Sequence, residues 1–472
     1  MAAARLCHLS EEHTLVGNWF CSSLCFLVMV TDIIKKHKKE FLGKLMDFCR
    51  FPVWEGCQDD NVGMCVKWIV GELENAGFFV KTYPTAHKPI IYAEKKGTSD
   101  KTILFYNHYD VVPIGNRNDW ESDPFDPTFK DGRIYGRGLS DHKSSFLARL
   151  YAVSCLEEAG ALPVNVKFLL EGDEEYNSPE LYPFVETHAS ILHADGCLYP
   201  GWRRNEKGMP RINCGSRGNF TADIVCRTAD HDLHELNAAL VPNALTRVMQ
   251  AVSSLFDEKQ NVKIQGFYDK VRQSSLLEKT SNAIPFDAEA FRKMTGCRWF
   301  AGGISDDQAM LRSTLTPVIS CYGVESSSTA RDVVPCEARA HLRFYTVPDQ
   351  NAKELLNGLA NHLKVSGFSD CEVISDSFEI KPSYTDIELP FVKAVQESAK
   401  QTYGIDPIVV PISSGTGPKY VFTELLSMPV VSDVGVGDSL SNDHAANESI
   451  VEENYYKNIE HVARIIQIMA KE

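Results

Sequence analysis

The 472-residue chain has no excess of basic charge, no pair of cysteines at CxxC spacing, no internal repeat and no low-complexity segment. A net charge of −15 disfavours nucleic acid and anionic membranes as partners, because both reward a basic surface. Fourteen cysteines are scattered along the chain. Without metal-ribbon or redox spacing they read as mostly reduced thiols, which places the protein in a reducing compartment and makes the cytoplasm the expected location. A long apolar run is also missing. Leu15 to Val30 is mostly apolar but only sixteen residues long, short of the about 20 that a membrane-spanning helix needs. Residues 1–30 therefore read as an N-terminal extension. The alternatives are a secretory signal or membrane anchor through 15–30, against which Glu11 and Glu12 outweigh Arg5, and a structural helix. The sequons at Asn219 and Asn447 read as chance matches, since a glycan on Asn447 would crowd a candidate site three residues away.

The length exceeds one ordinary core and points to two domains, or to one domain inserted in another. Hydrophobic residues make up 44% and charged residues 24%, the balance of a globular protein. Helical periodicity runs from Thr31 to Phe51 and again near Val66 to Ala76, where Gly77 suits the C′ position. Strands are expected at 78–83, 90–94, 102–106 and 164–170, with a helix at 144–159. This alternation indicates an α/β core. From about Asn213 the style changes: strands at 220–227, 318–322 and 338–347, and helices at 234–256 and 352–365, describe a small α+β unit. After Asp386 the α/β style returns, with helices at 389–403 and 452–469 and strands at 408–410 and 430–434. The expected organisation is a catalytic domain of residues 31–212 and 386–472 interrupted by an inserted domain, 213–385.

Each polar cluster of the first unit follows a strand, where open α/β sheets place their ligand sites. His108 and Asp110 form an HxD pair, whose i and i+2 side chains share one side of extended backbone. A metal-bound imidazole needs a partner on its other ring nitrogen, and Asp110 suits that role. Asp141 lies in Gly136-Arg137-Gly138-Leu139-Ser140-Asp141-His142. The two glycines permit a tight path, but the spacing and Lys-Ser/Thr end of a phosphate loop are missing. Asp141 reads as a helix N-cap or as a carboxylate shared by two metals, with His142 as a competing ligand. Glu174 and Glu175 diverge as neighbours, which suits one acid for ligation and one for water. Asp195, with His193 as alternative, and His444 complete the candidates. In order, the five ligand positions His108, Asp141, Glu175, Asp195 and His444 are separated by 33, 34, 20 and 249 residues, and the long gap spans the insertion. Mixed His and carboxylate ligands favour zinc, manganese or cobalt over calcium.

The segments NHYDVVP (107–113), GRGLSDHKS (136–144), EGDEE (171–175), ADG (194–196) and NDHAANE (442–448) resemble the co-catalytic metallopeptidase family of glutamate carboxypeptidase, carnosinase-like dipeptidases, aminoacylase and succinyl-diaminopimelate desuccinylase. The resemblance spans about Thr31 to Glu472. It implies a mixed-sheet α/β catalytic domain with helices on both faces and an inserted α+β lid and dimerisation domain. It further implies two divalent ions per subunit, zinc first and manganese or cobalt as alternatives, held by His108, Asp141, Glu175, Asp195 and His444 with Asp141 bridging. Glu174 would be the general base, Asp110 the acid behind His108, and the Asp141-His142 peptide cis. His234, in Asp232-Leu233-His234, matches the residue that reaches the partner subunit's site in a homodimer, although Glu235-Leu236 replaces the family's Ser-Gly. Thr416 stands in the Gly-rich substrate loop. Where dipeptidases of the family carry an Arg for the substrate carboxylate, this chain has Tyr345, and Arg343 on the same strand face is the expected substitute.

The function expected from these residues is metal-dependent cleavage of an amide bond in a dipeptide or short peptide. An N-acyl-amino-acid amidohydrolase is the alternative. A catalytically inactive binding relative fits less well, because the ligand set and Glu174 are intact.

Overall fold

The computed structural model describes residues 15–201, 208–376 and 378–471. Its central sheet has six strands in the order Phe79–Tyr83, Ile90–Lys95, Asn165–Glu171, Thr102–His108, Gly196–Leu198 and Val430–Val431. The first two strands run antiparallel and the other four are mutually parallel. The sheet is therefore mixed, as expected. Thr102–His108 lies in its middle and is buried on both faces beyond its first residue, which accounts for the continuous Ile103-Leu104-Phe105-Tyr106 run.

Helices cover both faces. On one side Leu15–Cys49, Ser144–Glu158, Pro390–Tyr403 and Glu452–Met469 enclose a core that includes Phe48, Phe105, Phe146, Phe168 and Ile459. On the other, Leu181–Leu192 and the 421–425 turn pack Phe184, Leu192 and Phe422 against Tyr106 and Leu169. The helix expected from Thr31 begins at Leu15 and runs unbroken to Cys49. Residues 15–30 are therefore helical, while 1–14 of the expected extension lie outside the described residues. Among the described residues no helix is long and apolar enough to cross a membrane.

A second, seven-stranded sheet is built on the strand Gly215–Arg227. Its order is Val318–Ser326, Glu337–Thr346, Gly215–Arg227 and Cys371–Ile374, with three short strands also on Gly215–Arg227. Glu337–Thr346 alternates: Ala338, Ala340, Leu342 and Phe344 face inward against the helices Ala244–Ser254 and Ala352–Val365. This is the inserted α+β unit. The helix expected over 234–256 is shorter, Ala244–Ser254, because Asn243 caps it by accepting from Thr246 N at 3.1 Å and Pro242 precedes that cap. The helices Leu181–Leu192, Ser275–Asn282, Ala288–Thr295 and Ala309–Leu315 were not expected. One disulfide, Cys226–Cys371, links adjacent strands of this sheet, while nine described cysteines are free. The reading of reduced thiols fails for this pair, whose register places the two Cα atoms 4.4 Å apart.

Candidate metal centre and substrate cleft

The strand Thr102–His108 ends on His108, and the chain turns at once so that Tyr109 N donates to Glu171 O of the neighbouring strand. Asp110 follows and is buried. Its carboxylate stands 3.3 Å from His108 Nδ1 and accepts from the backbone N–H of Glu174 at 3.3 Å and of Glu175 at 3.0 Å. One carboxylate thus fixes the His108 ring and both adjacent acids, a wider role than the expected partner of His108 alone.

Asp141 is delivered by the tight loop 136–141. Gly138 takes φ +83°, and a Cβ there would lie 2.6 Å from Val111 Cγ1, so only glycine serves. The Asp141-His142 peptide is cis. The loop is held from inside by Glu448, a residue quoted within the C-terminal motif but given no role from sequence. Glu448 is fully buried. It accepts from Ser140 N at 2.8 Å, Asp141 N at 3.1 Å, Gly138 N at 2.9 Å and the Arg137 guanidinium at 2.8 Å. Burial raises its pKa, and the Arg137 charge and these donors oppose the rise.

Three imidazoles converge on Asp141. His108 Nε2 is 3.2 Å and His142 Nε2 2.9 Å from its Oδ1, while His444 Nε2 is 2.9 Å from Oδ2. His444 Nε2 also stands 3.3 Å from Glu175 Oε2. Burial alone would raise the Asp141 pKa, but the three histidines pull it well below the carboxylate range. Asp141 and Glu175 raise His444 to about 10. Burial lifts Glu175 to about 7 against the pull of His444. Three groups of ligand atoms lie within 4.8 Å of one another: His108, Asp141 and His142; His108, Glu174 and Glu175; and Asp141, Glu175 and His444. Glu175 Oε1 is buried with no hydrogen-bond partner. A buried carboxylate oxygen left over beside clustered imidazoles fits a divalent cation, which supplies the missing partner.

Glu174 points a different way from Glu175, as adjacent residues must. Its Oε1 accepts from Tyr199 Oη at 3.0 Å, and Tyr199 stacks on Tyr106 with centroids 4.6 Å apart. Tyr106 in turn donates to Glu171, whose pKa burial raises to about 8. Tyr199 carried no sequence signal beyond its place just after a short strand. Glu174, Glu175, Asp141, His142 and His444 line one cleft of about 530 Å³.

Asp195 is not part of this centre. It precedes the strand Gly196–Leu198 and accepts from Thr102 N at 2.7 Å, beside Lys101 at 3.9 Å. Thr102 and His108 occupy opposite ends of one strand, so six steps of extended chain put Asp195 about 20 Å from the cluster. The ADG motif matched by composition, but parallel pairing with Thr102–His108 fixes it at the wrong end of the sheet. The same strand runs on to Tyr199, Pro200 and Gly201, which do line the cleft. A Cβ on Gly201 would meet Asp433 N and Oδ1 at 2.4 Å, so the backbone itself forms that wall.

The substrate-side expectations divide. Thr416 lines the cleft together with Ser414, Gly415 and Gly417. Arg343 does not: it is exposed on the outer face of the seven-stranded sheet, its guanidinium 5.6 Å from the Tyr322 ring. His234 is exposed, accepts from Leu236 N and lies outside the cleft lining. The cations of the lining, among the described residues, are Arg211 and Lys419. Arg211 stands 3.5 Å from Asp433. Lys419 is buried, which lowers its pKa, and donates to Ser432 Oγ at 2.9 Å. Neither was singled out from sequence.

A mixed sheet covered by helices on both faces, with carboxylates and histidines clustered beside its central strands, is an α/β architecture with a candidate metal centre. Residues 104–468 match the family described as Peptidase family M20/M25/M40, and the chain belongs to that family. A Beta-Ala-His dipeptidase of Homo sapiens is 27% identical over 404 residues, covering 81% of this chain and 78% of that protein. The Cys-Gly metallodipeptidase DUG1 of Saccharomyces cerevisiae is 26% identical over 479 residues, covering 93% and 98% respectively. The solved structure of the M20 family metallo-carboxypeptidase Sso-CP2 from Sulfolobus solfataricus is similar with a TM-score of 0.81 and 32% identity, covering 92% of this chain and all of that one.

Proposed function

We infer that this chain is a metal-dependent hydrolase that cleaves the amide bond of a dipeptide or short peptide. The observation that carries the reading is the meeting of His108, Asp141, Glu175 and His444 beside Glu174 on one cleft. Two divalent ions sharing Asp141 fit this donor set, zinc first and manganese or cobalt as alternatives. When bound, they supply Lewis acidity and lower the pKa of a water toward about 7. Every other role belongs to the protein. Asp110 holds the His108 ring by its Nδ1 and sets the tautomer. Glu174 takes the proton of the attacking water and returns it to the leaving amine. Tyr199, donating to Glu174, holds that carboxylate toward the cleft.

The catalytic domain is proposed as residues 31–212 and 386–472 and the inserted domain as 213–385. A homodimer formed through the insert would let His234 serve the partner's cleft, which its exposure permits. Arg211, rather than Arg343, grips a substrate carboxylate, with Thr416 on the lining of the same cleft. A cytoplasmic location agrees with the nine free cysteines among the described residues, and the Cys226–Cys371 disulfide weighs against it.

The test is a panel of dipeptides and N-acyl amino acids assayed with zinc, manganese and cobalt. Dipeptide turnover that is lost on chelation and restored by metal supports the reading. Turnover of N-acyl amino acids alone assigns the chain to the deacylases. Absence of any metal-dependent hydrolysis rejects both.

A further inference from the structure

We propose that His142 is the third protein ligand of the ion on the His108 side of Asp141, so that the two ions are held by His108, Asp141 and His142 on one side and by Asp141, Glu175 and His444 on the other. This rests on the metallohydrolase reading above and deepens it. The acid expected on that side from sequence, Asp195, is fixed at the far end of the strand Thr102–His108 by its bond to Thr102 N. The strand end that does reach the cleft brings Tyr199, Pro200 and Gly201, with no carboxylate among them.

His142 fills that gap by geometry. Its Nε2 and that of His108 approach the same Asp141 oxygen, at 2.9 and 3.2 Å. The two rings stand nearly perpendicular, 86° apart with centroids at 5.3 Å, so they do not stack, and a ligand nitrogen of each lies within 4.8 Å of the other and of an Asp141 oxygen. His142 is only 5% exposed, yet it lines the cleft. Two buried imidazole nitrogens that converge on one carboxylate oxygen form a compact N, N, O donor set. A cation between them accepts both lone pairs and the carboxylate together. Glu174 is the competing donor, since it groups with His108 and Glu175. Its Oε1 is already engaged by Tyr199, and its role as base requires it to stay off the ion.

The substitution of imidazole for an acid has a chemical consequence. Two imidazoles and one shared carboxylate favour zinc or cobalt over manganese, whereas oxygen-rich sites suit manganese. The Asp141, Glu175 and His444 side, with two carboxylates, discriminates less. One zinc-selective ion and one exchangeable ion are therefore expected in the same subunit.

Metal content per chain after dialysis, measured by mass spectrometry on the full-length protein, tests this, with circular dichroism and thermal unfolding of the metal-free forms as the folding control. His142→Ala is expected to retain one of the two zinc ions. His142→Asp is expected to retain both but to exchange one for manganese readily. Asp195→Ala is expected to retain both with wild-type preference. The visible absorption of the cobalt-loaded protein should change in His142→Ala and not in Asp195→Ala. Two tightly held zinc ions in a folded His142→Ala overturn the proposal while leaving the metallohydrolase reading intact. A wild-type chain that binds no ion overturns both.

Discussion

The strands Thr102–His108 and Glu337–Thr346 each carry a histidine or arginine singled out from sequence, and only the first delivers its residue to the metal-ligand cluster. Thr102–His108 is buried on both faces, so its last side chain stays buried, 3.2 Å from Asp141. Glu337–Thr346 packs one face and leaves the other in contact with solvent, and Arg343 falls on the outer face. Position within a motif is thus less informative than the layer to which the strand belongs. A residue at the end of a doubly covered parallel strand is committed to the site, whereas one in the middle of a half-covered antiparallel strand is committed only to a face.

The sharpest test of that contrast lies at the buried end. Glu174→Gln is expected to lower kcat by about 10³-fold or more, given the size of general-base effects, with metal content unchanged. Wild-type turnover in that variant would remove Glu174 as base. Removing metal by chelation should abolish hydrolysis, and adding back zinc or cobalt should restore it. Next comes Glu448→Ala, which leaves the Arg137 guanidinium buried without its partner. A stability loss of about 3–5 kcal/mol is expected from breaking such a pair, read as a fall in the denaturant midpoint, along with weaker metal retention because the Gly138–Asp141 loop loses its acceptor. A midpoint within error of wild type would show that the loop holds itself.

The contrast between cations on the two sheets gives smaller effects. Arg211→Ala is expected to raise KM about 10-fold for a substrate with a free carboxylate, the cost of about 1.4 kcal/mol of lost charge-assisted binding, while Arg343→Ala should change KM less than about two-fold, as an exposed residue outside the cleft should. The reverse order would return the carboxylate grip to Arg343. Asp195→Ala should leave kcat and KM unaltered, with a stability change of about 1 kcal/mol from the lost bond to Thr102 N.

Much of the site could be read in advance where local chemistry sufficed. His108 with Asp110, Glu174 with Glu175, and the glycine-spaced loop before Asp141 are short-range patterns, and each side chain reaches the cleft from its own strand end. Asp195 misled because a small-residue motif with an acid looks the same at either end of a strand. Glu448, Tyr199, Arg211 and Lys419 were missed for a related reason: each acts through partners 13 to 311 residues away, outside the short motifs that carried the reading. The helix starting at Leu15 was underestimated because its apolar run was weighed as a separate segment, although no breaker separates it from Thr31.

The sequence by itself determined the class of chemistry: the residue types able to hold divalent ions, the acid Glu174 beside them, the α/β alternation and the α+β style of the middle of the chain. These follow from side-chain functional groups and from periodicity, both carried locally. The tertiary structure decided which donors share an ion. As letters the motifs favour Asp195 as a ligand and leave His142 only a competitor. Parallel pairing, which aligns Ile103 rather than His108 with Gly196 and leaves Asp195 bonded to Thr102 N, takes the first away from the cluster. The folding of the 136–141 loop around Glu448 brings the second to 2.9 Å from Asp141.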